Sequence, residues 1–303
     1  MRQKFDSYDD YRQVVDELES RLTKIIDEHK WREQLERELL KIIAWADKNN
    51  IPQDRLPRDT EELCNLDALY LDDLELTHLP DSIGNLSQLT KLDVRGNELT
   101  HLPDSIGNLS QLTKLDVRGN ELTHLPDSIG KLSQLTELYV SDNQLTHLPD
   151  WIGKLSQLTI LDVYSNQLTH LPDSIGKLSQ LTELYVSFNQ LTHLPDWIGK
   201  LSQLTILDVY SNQLTHLPDS IGNLTNLRAL NIHDNPLVVR YNLDGETVYT
   251  NDIINKIKAF ESKREEEERV REERFRQQML KRIELEKAQE DAKLVNRIKR
   301  FFS

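Results

Sequence analysis

The chain has 303 residues and a formal net charge of −14 at pH 7. The acidic excess lies in residues 51–250, which hold 27 acidic and 12 basic side chains. Such a surface repels nucleic-acid phosphates and favours a neutral or basic protein as the partner. The single cysteine, Cys64, excludes a disulfide framework within the chain.

Residues 1–50 are predicted to form a helical region with a cap. Two stretches carry apolar residues at helical spacing, first Tyr11, Val15, Leu18, Leu22 and Ile25, and then Leu35, Leu39, Ile42, Ile43 and Ala46. The spacing of the first stretch is typical of a coiled-coil seam or of a helix packed on another helix. The second stretch ends at a helix stop, residues 49–52, and we interpret it as an N-terminal cap.

Residues 51–240 repeat with a period of 23 residues. Each full copy of the pattern L-x-x-L-x-[VI]-x-x-N ends at an asparagine, namely Asn97, Asn120, Asn143, Asn166, Asn189, Asn212 or Asn235. In the first of these copies, Leu92 and Val94 alternate with charged residues, a pattern that predicts a strand with one buried face. Stacked copies are expected to form a solenoid with a parallel sheet, whose strands lie about 4.8 Å apart.

Eight strand segments are expected, beginning at Leu66, Leu89, Leu112, Leu135, Leu158, Leu181, Leu204 and Leu227. The asparagine that follows each strand can bond backbone groups of adjacent coils, which would otherwise be buried without a partner. Pro103 is expected to end local pairing on the convex side. Gly107 is expected where φ is positive or where a side chain would clash.

Residues 241–303 are predicted to form a C-terminal cap and a long charged helix. Asp244–Gly245 is typical of a hairpin turn, and Ile254, Ile257 and Phe260 would form a helix face over the last coil. Residues 261–274 are nearly all charged, as in a solvated helix. An apolar stripe follows, formed by Leu285, Ala288, Ala292, Val295 and Phe302. We therefore expect the terminal helices to dock on a partner or to form a homo-oligomer.

The start of the chain lacks the apolar segment of a signal peptide, and no apolar run approaches the roughly 20 residues that span a bilayer. A cytoplasmic location is the resulting expectation. The basic and apolar residues 297–302 could contact anionic lipid, but one short basic segment anchors weakly, so membrane binding is not expected.

The block from about 51 to 260 resembles intracellular leucine-rich repeats of the 23-residue class. The resemblance depends on its L-P-x-x-I-x-x-L units and on its Asn-Pro-Leu ending at residues 235–237. Similar units occur in plant Ras-group-related proteins, in Scribble-like scaffolds and in bacterial Roco proteins. The resemblance implies an α/β solenoid with a curved parallel sheet of about eight repeats, extended by helices at both ends, and a scaffold that binds proteins on the concave sheet. Unlike Roco proteins, the chain has no phosphate-binding loop of a GTPase.

The concave positions vary between copies and are the candidate binding residues. Near the N-terminus they are mostly charged, and later they are rich in tyrosine. The predicted protein-binding set is Tyr139, Ile160, Asp162, Tyr164, Tyr185, Phe188, Ile206, Asp208 and Tyr210. Aromatic anchors of this kind are enriched at protein interfaces. The alternative is that the tyrosines form cross-strand ladders that only stabilise the sheet.

Two further columns have alternative interpretations. Seven histidines recur with the repeat, at positions 78, 101, 124, 147, 170, 193 and 216. They could bind metal or respond to pH, but a line of residues does not converge on a tetrahedral site, so we interpret them as solvent positions copied with the repeat. Trp151 and Trp197 replace serine, and they could form a lateral contact patch or lie flat on the neighbouring turn.

The sequence favours a non-enzymatic scaffold that binds a protein through its tyrosine-rich concave face. No convergent set of His, Cys, Asp and Glu suggests catalysis, a metal or a cofactor. One alternative is a bacterial effector or host-directed binding protein of the same fold. Another is a regulator of an enzyme or GTPase that acts through the terminal helices.

Overall fold

The structure, a computed structural model, describes residues 8–241, residue 243 and residues 251–301. It divides into two compact units, Met1–Arg240 and Tyr241–Ser303. The hairpin turn predicted at Asp244–Gly245 lies outside the described residues. The same is true of the side chains at positions 11, 15, 254, 257, 285, 288, 292, 295 and 302.

The first unit begins with one long helix, α1 (Tyr8–Lys48), which contains both apolar stretches of the N-terminal region. Near its end, Leu39, Ile42 and Ala46 are buried, and the helix packs against the first 3₁₀ helix of the repeats, η1 (Asp81–Asn85). The segment predicted to be a cap therefore covers the first coil. A short helix, α2 (Thr60–Cys64), follows, and its N-cap Asp59 accepts hydrogen bonds from the backbone of Glu61 and Glu62.

Eight strands of three residues each form one parallel sheet in chain order, which confirms the predicted solenoid. They are β1 (Ala68–Tyr70), β2 (Lys91–Asp93), β3 (Lys114–Asp116), β4 (Glu137–Tyr139), β5 (Ile160–Asp162), β6 (Glu183–Tyr185), β7 (Ile206–Asp208) and β8 (Ala229–Asn231). Each residue pairs with the residue 23 positions later in the chain. Because the register equals the repeat length, equivalent side chains form straight columns across the sheet.

The side of each coil opposite its strand is a short 3₁₀ helix, which the repeat pattern did not predict. After η1 these helices are η2 (Asp104–Asn108), η3 (Asp127–Lys131), η4 (Asp150–Lys154), η5 (Asp173–Lys177), η6 (Asp196–Lys200) and η7 (Asp219–Asn223). A proline precedes each one and fixes the entry of the chain. Within η2, a Cβ on Gly107 would lie 2.4 Å from the backbone oxygen of Ser128. Close packing of the coils therefore requires glycine here.

The two tryptophans lie in this 3₁₀ layer and belong to the core. Trp151 and Trp197 are each only 6% exposed. They lie against glycines of the preceding coil, because a Cβ on Gly130 would be 2.9 Å from that of Trp151 and a Cβ on Gly176 would be 2.8 Å from that of Trp197. The interpretation as a lateral contact patch is therefore wrong, and the tryptophans lie on the neighbouring turn.

The repeated asparagines form a buried ladder between coils, as the sequence predicted. Asn166 accepts a hydrogen bond from the backbone N–H of Leu145 in the preceding coil at 2.9 Å. Its amide nitrogen donates to the backbone oxygen of Val140 at 3.1 Å and to that of Val163 at 3.2 Å. Each asparagine thus satisfies backbone groups of two coils where the strands end.

The described C-terminal region is helical. A short helix, α3 (Pro236–Arg240), ends the first unit, and the second unit contains α4 (Asn251–Phe301). The middle of α4 is exposed and carries ion pairs along one helix, such as Arg264–Glu268 at 3.6 Å. No helix in the described part of the chain is both long enough and apolar enough to cross a bilayer.

Candidate protein-binding surface

The exposed side of the sheet consists of three columns, which we call the strand face. The first column is position 1 of each strand, the second is position 3, and the third lies two residues beyond the strand. The residues between them, such as Leu161 and Val163, are fully buried in the core. Because side chains of a strand alternate, the constant apolar residues build the core and the variable residues reach the surface.

The N-terminal half of the strand face is a charged cluster. Arg118 donates two hydrogen bonds to the buried Asp116, at 2.9 and 2.6 Å. One strand earlier, Arg95 lies 3.6 Å from Asp93, whose carboxyl pKa is raised by burial. A cavity of about 280 Å³ lies beside these residues and is also lined by Tyr70. The acids and bases here mostly neutralise one another.

Tyr139 joins this charged cluster to the tyrosine-rich half. The Lys114 ammonium lies 4.6 Å from the centre of its ring, and the Arg118 guanidinium carbon lies 4.9 Å from it. The Tyr139 hydroxyl donates to Glu137 at 3.1 Å, and Glu137 also pairs with Lys114 at 3.0 Å. Burial and the neighbouring Glu137 carboxylate raise the pKa of Tyr139 to about 12. The phenol therefore stays protonated and acts as a donor.

The tyrosine-rich half contains a second cavity, of about 350 Å³, which we call the Tyr–Asp pocket. Its lining consists of Tyr139, Ile160, Asp162, Tyr164, Glu183 and Tyr185. Asp162 is the register partner of both Tyr139 and Tyr185, so it lies between the two tyrosines. The Tyr185 hydroxyl donates to Glu183 at 2.8 Å. Two carboxylates and three phenol rings therefore converge on one depression.

Burial raises the pKa of two groups in this pocket. The pKa of the Asp162 carboxyl is raised, mainly because burial disfavours its charged form, although the Tyr164 backbone N–H donates to it at 3.1 Å. The pKa of the Tyr185 phenol is raised by burial and by its hydrogen bond to Glu183. A positively charged group entering the pocket would relieve the unfavourable burial of the carboxylate.

Three aromatic rings form a row beside the pocket, which we call the aromatic ridge. It consists of Tyr164, Phe188 and Tyr210, from three successive coils. The ring centre of Phe188 lies 5.1 Å from that of Tyr164 and 5.0 Å from that of Tyr210, in edge-to-face and tilted arrangements. Phe188 is 44% exposed despite these contacts. The ridge therefore presents an apolar surface to solvent.

Phe188 adopts a backbone conformation that phenylalanine rarely takes. Its φ is 50°, in the left-handed region. Every coil has a positive φ at this position, but the other seven residues are Asp73, Gly96, Gly119, Asp142, Ser165, Ser211 and Asp234. Small and hydrogen-bonding residues tolerate this conformation, whereas a bulky residue is an outlier. Phe188 therefore occupies the one column in which an aromatic side chain carries a conformational cost.

Eight of the nine residues predicted from the sequence lie in the three columns of the strand face, and Phe188 lies one residue beyond the third column. Five of them line the Tyr–Asp pocket, and Phe188 and Tyr210 join Tyr164 in the ridge. Ile206 and Asp208 lie on β7 in the same columns and are half-buried. The prediction omitted Glu183, although the repeat places it in the column of Ile160 and Ile206. The contact of Lys114 and Arg118 with the Tyr139 ring was also not predicted from the sequence.

The histidine column has a simpler environment. Six of the seven histidines are exposed, and His78 is half-buried. In each case the hydroxyl of the preceding threonine lies 3.1–3.3 Å from Nδ1, as between Thr146 and His147. Among the described residues, no group of three or more His, Cys, Asp and Glu side chains is arranged to hold a metal ion.

Comparison with known proteins places this geometry in a family. A family model described as a leucine-rich repeat region matches residues 38–143, 81–162 and 140–289. None of the curated protein sequences compared with the chain is similar to it. Many solved structures are similar to the chain.

One is the leucine-rich repeat ectodomain of the receptor kinase GASSHO1/SCHENGEN3 from Arabidopsis thaliana, with 37% identity and a TM-score of 0.53. Another is the functional domain of InlJ from Listeria monocytogenes, with 32% identity and a TM-score of 0.52. A leucine-rich repeat protein of Leptospira interrogans has 31% identity and a TM-score of 0.46.

These likenesses cover 56%, 59% and 58% of this chain, respectively. The chain spans 22%, 37% and 56% of the three structures in the same order. The family model alone matches well over half of the chain, and its match includes every strand of the sheet. The chain therefore belongs to the leucine-rich repeat family.

Proposed function

We propose that this protein is a non-enzymatic scaffold that binds a protein partner through the tyrosine-rich part of its strand face, the concave face of the sequence prediction. Leucine-rich repeats are in general a protein-interaction fold. The solvent-exposed aromatic ridge is the observation that favours this surface as the binding site. Its three rings present apolar area beside a pocket with two carboxylates. Rigid aromatic anchors in a depression are typical of the energetic centre of an interface.

A solved relative supports this use of the fold. The GASSHO1/SCHENGEN3 ectodomain was solved in complex with CASPARIAN STRIP INTEGRITY FACTOR 2. The similarity covers the repeats, so it supports recognition of a polypeptide in general. The kind of partner is inferred from the surface residues of this chain. The carboxylates of the strand face favour a partner with basic groups.

The alternative, a tyrosine ladder that only stabilises the sheet, explains Phe188 poorly. A residue selected for stability alone would not combine a left-handed φ with 44% exposure. Backbone strain that persists at one position is a common mark of a functional surface. The equivalent residue 46 positions earlier is Asp142, which tolerates this conformation.

The test is capture of partners from the cells that make the protein, followed by mass spectrometry. The test variant replaces Tyr164, Tyr185, Phe188 and Tyr210 by alanine. The control replaces the exposed Gln167, Gln190 and Gln213 of the same three coils by alanine. We expect the test variant to lose the proteins that the wild type and the control retain, while all three keep native circular dichroism. Equal capture by all three would overturn the proposal and shift attention to the terminal helices.

We also propose that α1 mediates self-association. Leu18, Leu22 and Ile25 share one face of the helix and are 55%, 58% and 61% exposed. Their four-three spacing suits a seam with a second copy of the same helix. We expect light scattering to give a dimer or larger oligomer for the full chain and a monomer for the double variant Leu22→Glu/Ile25→Glu. A monomeric wild type at micromolar concentration would contradict this assignment.

The cytoplasmic location stays a prediction.

A further inference from the structure

Within the repeats, one glutamate and one tyrosine already bind basic side chains of the same chain. At the first Tyr–Glu pair of the strand face, Glu137 forms an ion pair with Lys114 at 3.0 Å. The Tyr139 ring is covered by the same ammonium and by the Arg118 guanidinium. The pair thus binds two basic side chains from the preceding coil by charge and by cation–π attraction. This shows which ligand chemistry a Tyr–Glu pair of this fold accommodates.

The same pair recurs two coils later without its basic neighbours. Residues 131–176 and 177–222 are identical except at one position, so Glu183 and Tyr185 repeat Glu137 and Tyr139. The Tyr185 hydroxyl again donates to the carboxylate, at 2.8 Å. The positions of Lys114 and Arg118, however, are taken here by Ile160 and Tyr164, 46 residues later. In the part of the chain that the structure describes, Glu183 makes no ion pair with a basic side chain.

Among the described residues, a carboxylate without an ion pair of its own lies beside the second pair. Asp162 lies between Tyr139 and Tyr185 in the register of the sheet. Arg118 lowers the pKa of Asp162 but makes its own hydrogen bonds with Asp116. The backbones of β4 and β6 are two strand spacings apart, about 9.6 Å. That separation leaves room for one flat side chain above Asp162, between the two tyrosines.

We propose that the Tyr–Asp pocket binds a single arginine or lysine side chain of a partner polypeptide, with an adjacent apolar residue of that partner resting on the aromatic ridge. The proposal rests on the proposed function and adds the chemistry of the ligand. Asp162 and Glu183 supply the negative charge, and Tyr139 and Tyr185 supply the ring faces. Tyr164 belongs to both the pocket and the ridge, so the basic and the apolar residue of the partner are near neighbours in its sequence.

The first test uses the full chain and two dipeptide probes, N-acetyl-phenylalanyl-arginine amide and its citrulline analogue. Citrulline keeps the shape of arginine and removes its charge. We expect calorimetry or NMR titration to show binding of the arginine probe at concentrations up to about 10 mM, a range suited to a single anchoring side chain. The citrulline probe should bind at least about fivefold more weakly, because the charge-assisted contacts are lost.

Matched variants locate the site. The double variant Glu183→Gln/Asp162→Asn should bind the arginine probe at least about fivefold more weakly than the wild type does. Glu137→Gln is the same substitution at the equivalent position, where Lys114 already neutralises the carboxylate, and it should change binding less than about twofold. Equal affinity for the two probes, or no binding of the arginine probe, would overturn the proposal.

A filled pocket provides a second test. Ile160→Lys places an ammonium where the repeat has Lys114, and it should abolish binding of the arginine probe. Ile160→Met, which is long but neutral, should retain it. If Ile160→Lys also eliminates the partner captured by the wild type, the partner uses the pocket. If capture persists in Ile160→Lys but is lost in the four-alanine variant, the proposed function stands and the basic-side-chain assignment fails.

Discussion

Asp142 and Phe188 occupy the same backbone conformation, with φ of 51° and 50°, although one is a small acid and the other a large aromatic residue. They are also the only difference between two 46-residue segments of otherwise identical sequence. Phe188 has Tyr164 and Tyr210 on either side, whereas the corresponding neighbours of Asp142 are Arg118 and Tyr164. The duplicated segments thus contain an internal control for the aromatic ridge.

Phe188→Asp should therefore remove the ridge at little cost in stability. The substitution loses two ring contacts, worth about 0.5–1.5 kcal/mol each, and relieves a left-handed conformation that costs a bulky residue about 1–2 kcal/mol. We expect the free energy of unfolding to change by less than about 1.5 kcal/mol in urea titration. Partner capture should fall sharply in the same variant.

The reciprocal variant Asp142→Phe is the control for this prediction. It introduces phenylalanine at the same φ with only one tyrosine beside it, so it should lose about 1 kcal/mol of stability and keep partner capture. A loss above about 3 kcal/mol for Phe188→Asp would show that Phe188 is a structural residue.

Most of the fold could be predicted because seven full copies of the repeat carry the same pattern. Leu92 and Val94 mark the buried face of a strand, and Asn97 marks the end of that strand. The 3₁₀ helices escaped prediction because five residues are too few to show a helical period. The continuity of α1 was also missed, because its apolar seam ends at Ile25 and the capping face begins ten residues later, with polar helix between them.

The candidate site was harder to predict. The repeat shows which residues are neighbours in a column, but it does not show in which direction their side chains point. Phe188 was in the predicted binding set, but the sequence shows no sign that a phenylalanine adopts a positive φ there. Glu183 was left out of the predicted binding set, because Glu137 has the same sequence context and the pattern does not show that Lys114 pairs with only the first of these two glutamates. Trp151 was equally compatible with a surface patch and with the core until the position of Gly130 was known.

The asparagine ladder should be a main source of stability between coils. Asn166→Ala removes a bond accepted from Leu145 and bonds donated to Val140 and Val163, leaving their buried backbone groups unpaired. We expect the free energy of unfolding to fall by about 2–3 kcal/mol, measured by urea titration. The exposed neighbour substitution Gln167→Ala should change it by less than about 0.5 kcal/mol. Similar small losses in both variants would contradict the role of the ladder.

Asp162→Asn should stabilise the protein at neutral pH. The raised pKa of Asp162 means that the folded state binds its proton more tightly than the unfolded state does. The contribution of Asp162 to the free energy of unfolding therefore falls as the pH rises from 3.8, the ordinary pKa of the carboxyl, through its raised pKa in the folded state. Above the raised pKa the contribution stays low. The asparagine variant should gain up to about 1 kcal/mol at pH 7, since solvent screens part of the effect.

The pH dependence distinguishes this cause from a packing effect. The gain of Asp162→Asn over the wild type should shrink as the pH falls below about 4, where the carboxyl is protonated in both states. Thermal unfolding at several pH values measures it, and Asp142→Asn, at an exposed aspartate, should show a smaller gain at pH 7. A gain that stays constant down to pH 3 would point to packing instead of charge burial.

The spacing between coils should tolerate no side chain at the glycines of η1 to η6. A Cβ on Gly153 would lie 2.5 Å from the backbone oxygen of Ser174, and that oxygen cannot move without shifting the next coil. Gly153→Ala should therefore cost about 1–3 kcal/mol in urea unfolding, the usual range for overpacking. The control is Gly119→Ser, at the left-handed position where Ser165 and Ser211 occur, with no contact closer than 3.4 Å. It should cost less than about 1 kcal/mol, because only backbone strain opposes it. An equal cost for both variants would contradict a limit set by the spacing between coils.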